Sequence, residues 1–403
     1  MTAPDVGRLF LTRGVRLFAY GALSVILVVY LTSLGLSAAQ VGTLLTLTLA
    51  GDTAVSLWLT TRADRLGRRR MLVVGAILMA AAGLAFAATR NFLLLTIAGT
   101  IGVISPSGNE VGPFLPIEQA ALSQVVPATE RTRVFAWYTL AGSFATALGS
   151  LAGGVLSHGL QRADFTAPAS YRIIVLGYAA LGVLLAAVFS RLSSVVEVAT
   201  PASAERTASG LGRSRAIVLK LSGLFGLDAF AGGFVVQSFA AYWFYLRFGV
   251  NPAALGTIFF GANVFAGISA LLASRLAARF GLVRTMVFTH LPSNVLLILV
   301  PLMPNLPLAV LVLLLRFSIS QMDVPTRQSY VMAVVRPDER SAAAGVTGVA
   351  RTTGAALAPV FAGWMLARPE WTSVPFILAG VLKIVYDILL YRAFVGVRPM
   401  EES

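Results

Sequence analysis

Three observations in the 403-residue chain predict an all-α membrane protein of twelve transmembrane helices in two pseudo-symmetric six-helix bundles. Only 12% of the residues are charged, while 57% are hydrophobic and the mean hydropathy is +0.82. The basic residues collect in alternate short segments between apolar runs, and the second half of the chain repeats the first. Lipid offers the backbone no water, so an apolar run of about 20 residues crosses a bilayer as a helix that satisfies its own N–H and C=O groups.

The apolar runs place spans at 11–34, 38–61, 71–89, 93–125, 135–156, 171–190, 217–246, 252–274, 285–303, 306–335, 343–366 and 374–392. The first is long and lacks a clear small-residue cleavage site, so it reads as a retained helix and not a cleaved signal. A net charge of +14 raises the question of nucleic acid, but no polar domain carries a basic face. Topology explains the charge better. With the N-terminus inside, 22 of the 31 Lys and Arg residues fall in inner segments and 5 in outer loops, which puts both termini in the cytoplasm. There is no cysteine, hence no disulfide and no thiolate metal site, and two separated histidines make neither a metal centre nor a catalytic group.

Sliding the sequence by 214 residues lays the stretch from Val41 to Arg70 over that from Leu255 to Arg284 without a gap, with Gly42, Arg65, Gly67 and Arg70 meeting Gly256, Arg279, Gly281 and Arg284. A shift of 209 pairs Pro116, Gln119, Glu130 and Arg131 with Pro325, Gln328, Glu339 and Arg340. Two matches in the same order mark parallel repeats. The expected organisation is a first bundle over 1–190, a polar cytoplasmic linker over 191–216 and a second bundle over 217–403. Parallel repeats of this kind hold a substrate near the bilayer midplane between them.

The stretch "RADRLGRRR" (62–70) resembles the loop between the second and third helices of the major facilitator superfamily, whose signature is Gly, three residues, then Asp-Arg/Lys-x-Gly-Arg/Lys-Arg/Lys. Asp64, Arg65, Gly67, Arg68 and Arg69 match it, and Thr60 stands in place of the leading Gly. The resemblance extends over the whole chain and implies a secondary transporter working by alternating access. It also implies that Asp64 caps or pairs at the inner junction of the bundles, through a helix N-terminus or an arginine such as Arg131. The glycine-rich fifth helix ("GSFATALGSLAGGVL") resembles the antiporter motif of the family, with Ser150 where those proteins have Pro. The arginine of the drug/proton antiporters' RxxxGxG has no match in "TIAGTIGVIS".

Ten charged residues fall inside the spans: Asp52, Glu110, Glu118, Asp228, Asp323, Asp387, Arg316, Arg327, Arg351 and Lys383. At about 2.5–3.5 kcal/mol for each charge at a helix centre, they must pair, protonate or face water. Lys383 and Asp387, four residues apart, are expected to neutralise each other. Asp52 and Arg351, at mid-depth of two helices that pack together in the family, are expected to form a salt bridge. Arg316, Ser320, Asp323 and Arg327 share one face of the tenth helix, which reads as cavity lining. Gly108, Gly112, Pro113 and Pro116 argue that the fourth helix is irregular near the bilayer centre, beside Asn109 and Glu110. Glu110 has no evident neutralising partner and leads as the coupling-proton site, ahead of Asp228 and Asp323. Glu118 aligns with Arg327 through the repeat and could pair with it. Tyr20, Gln237 and Gln321 are candidate pocket residues.

No phosphate-binding GxxxxGK[ST] motif is present, so a gradient must drive transport. The expected function is proton-coupled efflux of a small organic solute across the cytoplasmic (inner) membrane. Proton-coupled import or uncoupled facilitation is the alternative, and a non-transporting sensor or scaffold is the reading from another class. The expected partners are the solute and the bilayer, with no nucleic acid, no cofactor beyond the coupling proton and a monomeric chain. Arg316 and Arg327 favour an anionic solute if the acids already serve as their partners, whereas a free Glu110 and Asp323 favour a cation.

Overall fold

The computed structural model describes residues 3–110, 112–127, 130–197, 212, 214–336 and 339–396. Most of the expected linker, with Arg206 and Arg213, lies outside the described residues, as does Arg398. The described chain is helical: α1 (Ala3–Ser33), α2 (Ala38–Leu66), α3 (Arg68–Ala88), α4 (Phe92–Ile101), α5 (Phe114–Val125), α6 (Arg131–Arg162), α7 (Ala167–Ser190), α8 (Arg215–Gly233), α9 (Gln237–Phe248), α10 (Pro252–Phe280), α11 (Leu282–Leu299), α12 (Leu306–Ser320), α13 (Asp323–Val334), α14 (Arg340–Leu366) and α15 (Val374–Phe394). Nine single helices and three broken ones, α4/α5, α8/α9 and α12/α13, make the twelve spans. Large apolar side chains such as Leu93, Val183 and Phe288 are exposed on outward faces, where lipid covers them.

Short polar caps close the connections. Ser37 and Gln40 form a reciprocal capping box at the start of α2, Asn91 accepts from the amides of Leu93 and Leu94, and Asn305 accepts from that of Leu308. Between α2 and α3 the chain turns at Gly67, whose φ of +101° only glycine adopts readily.

The three breaks fall on identifiable residues. Residues 102–113 interrupt the fourth span, with Gly108 at φ +70° and Gly112 at φ +79°, as the glycine and proline content of this stretch suggests. The seventh and tenth spans, expected as continuous, are interrupted at 234–236 and 321–322. Pro116 and Pro325 each occupy the third position of the helix that restarts after the break, where the missing N–H has no intrahelical acceptor to lose. The register of the repeat is kept: α5 and α13 each have 12 residues and start 209 apart.

Two compact units emerge, one of Met1–Ser203 with Val236–Phe260, the other of Ala204–Val235 with Gly261–Ser403. In the first, α1 packs on α6, α7 and α9, α3 on α7, and α2 on α4. The α1–α6 contact is a backbone-to-backbone approach: a Cβ on Gly21 would stand 2.1 Å from the Thr146 carbonyl oxygen, and one on Gly149 2.0 Å from that of Phe18. Small residues permit such packing, which in lipid replaces the hydrophobic drive of water. In the second unit, α8 packs on α14 and α15, and α11 on α12, α13 and α15. Its inner core holds Val218, Leu221, Phe225, Tyr330, Tyr386 and Phe394.

Gly149→Ala is expected to lower the stability of the detergent-purified protein by about 1–3 kcal/mol through overpacking. Gly177→Ala, whose Cβ would meet nothing within 4 Å, should leave the thermal unfolding midpoint unchanged in the same measurement.

Candidate functional site

Each unit contains one buried network of charges. In the first unit, α1 presents Thr12, Arg13 and Arg16 on one face, and the restarted fourth helix presents Glu118. Arg16 and Glu118, both 0% exposed in their side chains, form a bidentate pair with Nη1–Oε1 and Nη2–Oε2 at 2.8 Å. Thr12 Oγ1 donates to Glu118 Oε1 at 3.0 Å, and the Tyr138 hydroxyl donates to Oε2. Glu110, in the break of the fourth span, accepts from Arg13 Nη1 at 2.5 Å and from Arg16 Nη2 at 3.1 Å. Arg13 lies over the Tyr138 ring and Arg16 over Phe114, at 4.4 and 4.7 Å from the centroids. Two carboxylates are matched by two guanidinium groups.

Two expectations are corrected here. Glu110 is neutralised, by arginines whose place near the start of the first apolar run made them look like loop charges; α1 starts at Ala3, so they lie several turns inside a helix. Glu118 and Arg327 each find their partner within their own unit.

In the second unit, Asp228 on α8 is the hub. Its Oδ1 accepts from Lys383 Nζ at 2.5 Å, and its Oδ2 from Arg327 Nη1 at 3.2 Å. The same Arg327 Nη1 lies 2.9 Å from Asp323 Oδ2, one helical turn back on α13. Lys383 therefore does not pair with Asp387. Asp387 is held by His290 Nδ1 at 2.8 Å and Asn294 Nδ2 at 2.9 Å, both on α11, while His290 Nε2 stands 3.7 Å from Asp228 Oδ1. His290 thus sits between two buried carboxylates, a role that its isolation in sequence concealed. The nearest sequence signal is its i,i+4 spacing to Asn294.

The repeat relates the two networks with their signs exchanged. Arg16 on the first helix precedes Asp228 on the seventh by 212 residues, and Glu118 precedes Arg327 by 209. One unit joins a cation on its first helix to an anion on its restarted fourth. The other joins the anion to the cation in the same places.

The remaining candidates divide. Asp52 accepts from the Gly112 amide at 2.7 Å and from Ser56 Oγ at 3.5 Å, and so ties α2 to the break of the fourth span. It is not in an ion pair among the described residues, and neither is Arg351, whose Nε is buried without a hydrogen-bond partner. The polar face of the tenth span is cut between Ser320 and Asp323, leaving Arg316 on α12 apart from the Asp323–Arg327 pair, its Nε also unpartnered. The Gln321 amide donates to Ser269 Oγ at 3.3 Å. Gln237 Nε2 donates to Ser24 Oγ at 2.8 Å and Ser150 Oγ at 3.2 Å, so the serine in the proline position of the glycine-rich motif is a hydrogen-bonding partner. Asn109 is exposed and its carbonyl accepts from Ser105 Oγ, whereas Tyr20 is wholly buried and stacked on Tyr178. An apolar groove of about 700 Å³ between α1 and α6, lined by Val6, Phe10, Trp137 and Phe144, lies apart from these networks.

At the Gly67 turn, Asp64 pairs with Arg68, Nε–Oδ1 2.8 Å, and Arg131 Nε donates to the Val126 carbonyl. The expected capping role falls to Glu197, whose carboxylate accepts from the backbone amides of Arg68 at 2.7 Å and Arg69 at 3.2 Å. Arg68 also donates to Gln124 and Arg69 to the Leu192 carbonyl, while Arg65 matches the signature without a described side-chain bond of its own.

The profile described as Major Facilitator Superfamily matches residues 9–246 and 221–403. An uncharacterised membrane protein of Saccharomyces cerevisiae is 30% identical over 98% of this chain and 94% of its own length. The quinolone resistance protein NorA of Staphylococcus aureus is 26% identical over 35% of each chain. Among solved structures, a bacterial homologue of the human lysosomal transporter Spinster superposes with a TM-score of 0.76, at 17% identity and 98% coverage of both chains. A D-xylose–proton symporter superposes with a TM-score of 0.72 at 16% identity, covering 96% of this chain and 97% of its own.

Lys383→Met is expected to cost about 3 kcal/mol, because it leaves a buried Asp228 without its closest cation. Adding Asp387→Asn should not restore the loss, whereas adding Asp228→Asn should restore part of it; chemical or thermal unfolding of the three variants in detergent checks both.

Proposed function

Because the chain belongs to the major facilitator superfamily, we propose that it is a proton-coupled secondary transporter of a small organic solute, working as a monomer by alternating access in the cytoplasmic membrane with both termini inside. Export is the first choice, supported by the partial similarity to a drug-resistance protein. Proton-coupled uptake or uncoupled facilitation is the alternative. Among the described residues no nucleophile, base and orienting group are gathered in one place to support an enzymatic role.

The observation that carries proton coupling is the placement of His290 between Asp387 and Asp228. The groups facing the imidazole are these two carboxylates, the Asn294 amide and the Tyr386 ring, with Lys383 on the same Asp228 oxygen that faces His290 and Arg327 on the other. An imidazole can take up or release a proton, and here one proton changes the balance of the whole network. The bonded network sets Asp228, Asp323 and Asp387 against Arg327, Lys383 and the His290 imidazole, so a proton gained or lost at His290 changes its net charge by one. Moving that proton alters the cost of burying the network, which is how a gradient can bias two conformations. Glu110 and Glu118 are poorer carriers, each fixed by guanidinium groups.

Proteoliposomes holding a pH-sensitive dye, challenged with cationic, neutral and anionic compounds, test this reading. Compound-dependent proton movement is expected with wild type and not with His290→Gln, and its direction relative to the compound separates antiport from symport. No proton movement with any compound, by protein shown to be folded, would contradict the coupling and leave facilitation.

A further inference from the structure

The connection between the last two spans carries a cation that topology does not explain. Of the 31 basic residues only 5 fall in outer loops, and Arg368 is one of them. With twelve spans the two termini share one membrane face, and this connection lies at the opposite one. The helix that leads to it, α14, has 27 residues, about 40 Å of length against a hydrocarbon core about 30 Å thick, so its end at Leu366 reaches headgroup depth.

Arg368 is held there by backbone and by aromatic rings. Its amide donates to the Met365 carbonyl and its carbonyl accepts from the Trp371 amide, both at 3.0 Å. Its guanidinium stacks on Trp364, 3.7 Å from the ring centroid, with Trp371 at 5.4 Å. The two indoles meet edge to face, their centroids 4.9 Å apart and their planes at 77°. Three side chains thus fix one another. Among the described residues Arg368 has no acid partner, and Glu370, two residues on, forms no ion pair with it. A guanidinium whose face is covered by a ring keeps its N–H groups in its own plane, where they match the oxygens of a phosphate.

Below the arginine, α14 offers an apolar track. Trp364, Phe361 and Leu357 precede Arg368 by 4, 7 and 11 residues, a spacing that sets them on one face of the helix. They are 43, 49 and 52% exposed, so no other part of the chain covers them. Leu357 lies nine residues before the helix end, about 14 Å down and near the middle of the core. A cation at headgroup depth, indoles at the interface and an apolar stripe beneath follow the order of groups in a phospholipid.

We propose that Arg368, Trp364 and Trp371 form a binding site for one anionic phospholipid, with its phosphodiester on the guanidinium and an acyl chain along Trp364, Phe361 and Leu357. A net negative lipid is required because the arginine has no carboxylate to balance it. The site is independent of the solute, coupling and direction of transport.

The test reads the two indoles among the five tryptophans of the chain. Full-length protein in nanodiscs is prepared with increasing fractions of phosphatidylglycerol or phosphatidylcholine brominated on the acyl chains. The quenching that is lost in the Trp364→Phe/Trp371→Phe variant isolates the signal of these rings. In wild type, half-maximal quenching is expected at an about fivefold lower fraction of the brominated phosphatidylglycerol. Arg368→Gln should make the two lipids equal, and Arg368→Lys should keep part of the preference. Arg90→Gln, which removes the same charge from another outer loop, should change nothing. An excess of sn-glycerol 3-phosphate should not relieve the quenching. Equal quenching by the two lipids in wild type, stronger quenching by the phosphatidylcholine, a preference that survives Arg368→Gln, or one that falls equally in Arg90→Gln overturns the proposal. Relief by sn-glycerol 3-phosphate would assign the arginine to a soluble phosphate and overturn the lipid. Proton movement in the transport assay bears on none of these results, so the two readings fail separately.

Discussion

A guanidinium and a carboxylate, both fully enclosed by protein in the middle of a membrane span, impose the main constraint on this fold. Arg16 and Glu118 make two parallel hydrogen bonds at 2.8 Å, with Arg16 donating further to Glu110 and Glu118 accepting further from Thr12 and Tyr138. Burying either charge without the other would cost about 3–5 kcal/mol, a large share of a typical domain's stability. The pair therefore fixes where the fourth span restarts after its break, because Glu118 must meet Arg16. It fixes α6 as well, through Tyr138 and through the glycines that let α1 approach so closely.

The second unit solves the same problem with the signs exchanged. Arg327 stands where the first unit has Glu118, aligned by the repeat, and Asp228 lies on the seventh span as Arg16 lies on the first. Holding the restarted helix to the first helix of the bundle requires opposite charges, not a particular order of them. The units differ in what surrounds this shared pair. The first is closed and balanced, two acids against two arginines. The second adds Lys383, Asp387 and His290. The proposed proton carrier, His290, thus belongs to the second unit alone.

Much of this architecture is legible in the sequence, and the reasons for the rest are physical. Hydropathy locates the spans because the bilayer penalises exposed backbone uniformly. Gly108, Gly112 and Pro113 reveal the break in the fourth span, since their effect is local. The breaks at 234–236 and 321–322 leave weaker local marks, and only the repeat connects Pro325 with Pro116. Partners of buried charges are not local at all. Lys383 and Asp387 are spaced to meet along α15, but each turns to a different neighbouring helix where an opposite charge or a histidine is closer. Arg13 and Arg16 resemble loop charges until the true start of α1 is known. His290 looks isolated because both of its carboxylates come from elements far away in the chain.

The account depends on the claim that Arg16 and Glu118 act as a unit, and a double-mutant cycle measures that directly. Unfolding free energies of wild type, Arg16→Met, Glu118→Leu and the double variant in one detergent yield their coupling energy. A coupling above about 2 kcal/mol, with the double variant more stable than the worse single one, is the predicted result. Additive losses, with a coupling near zero, would contradict it and show that the restarted helix is held by packing alone.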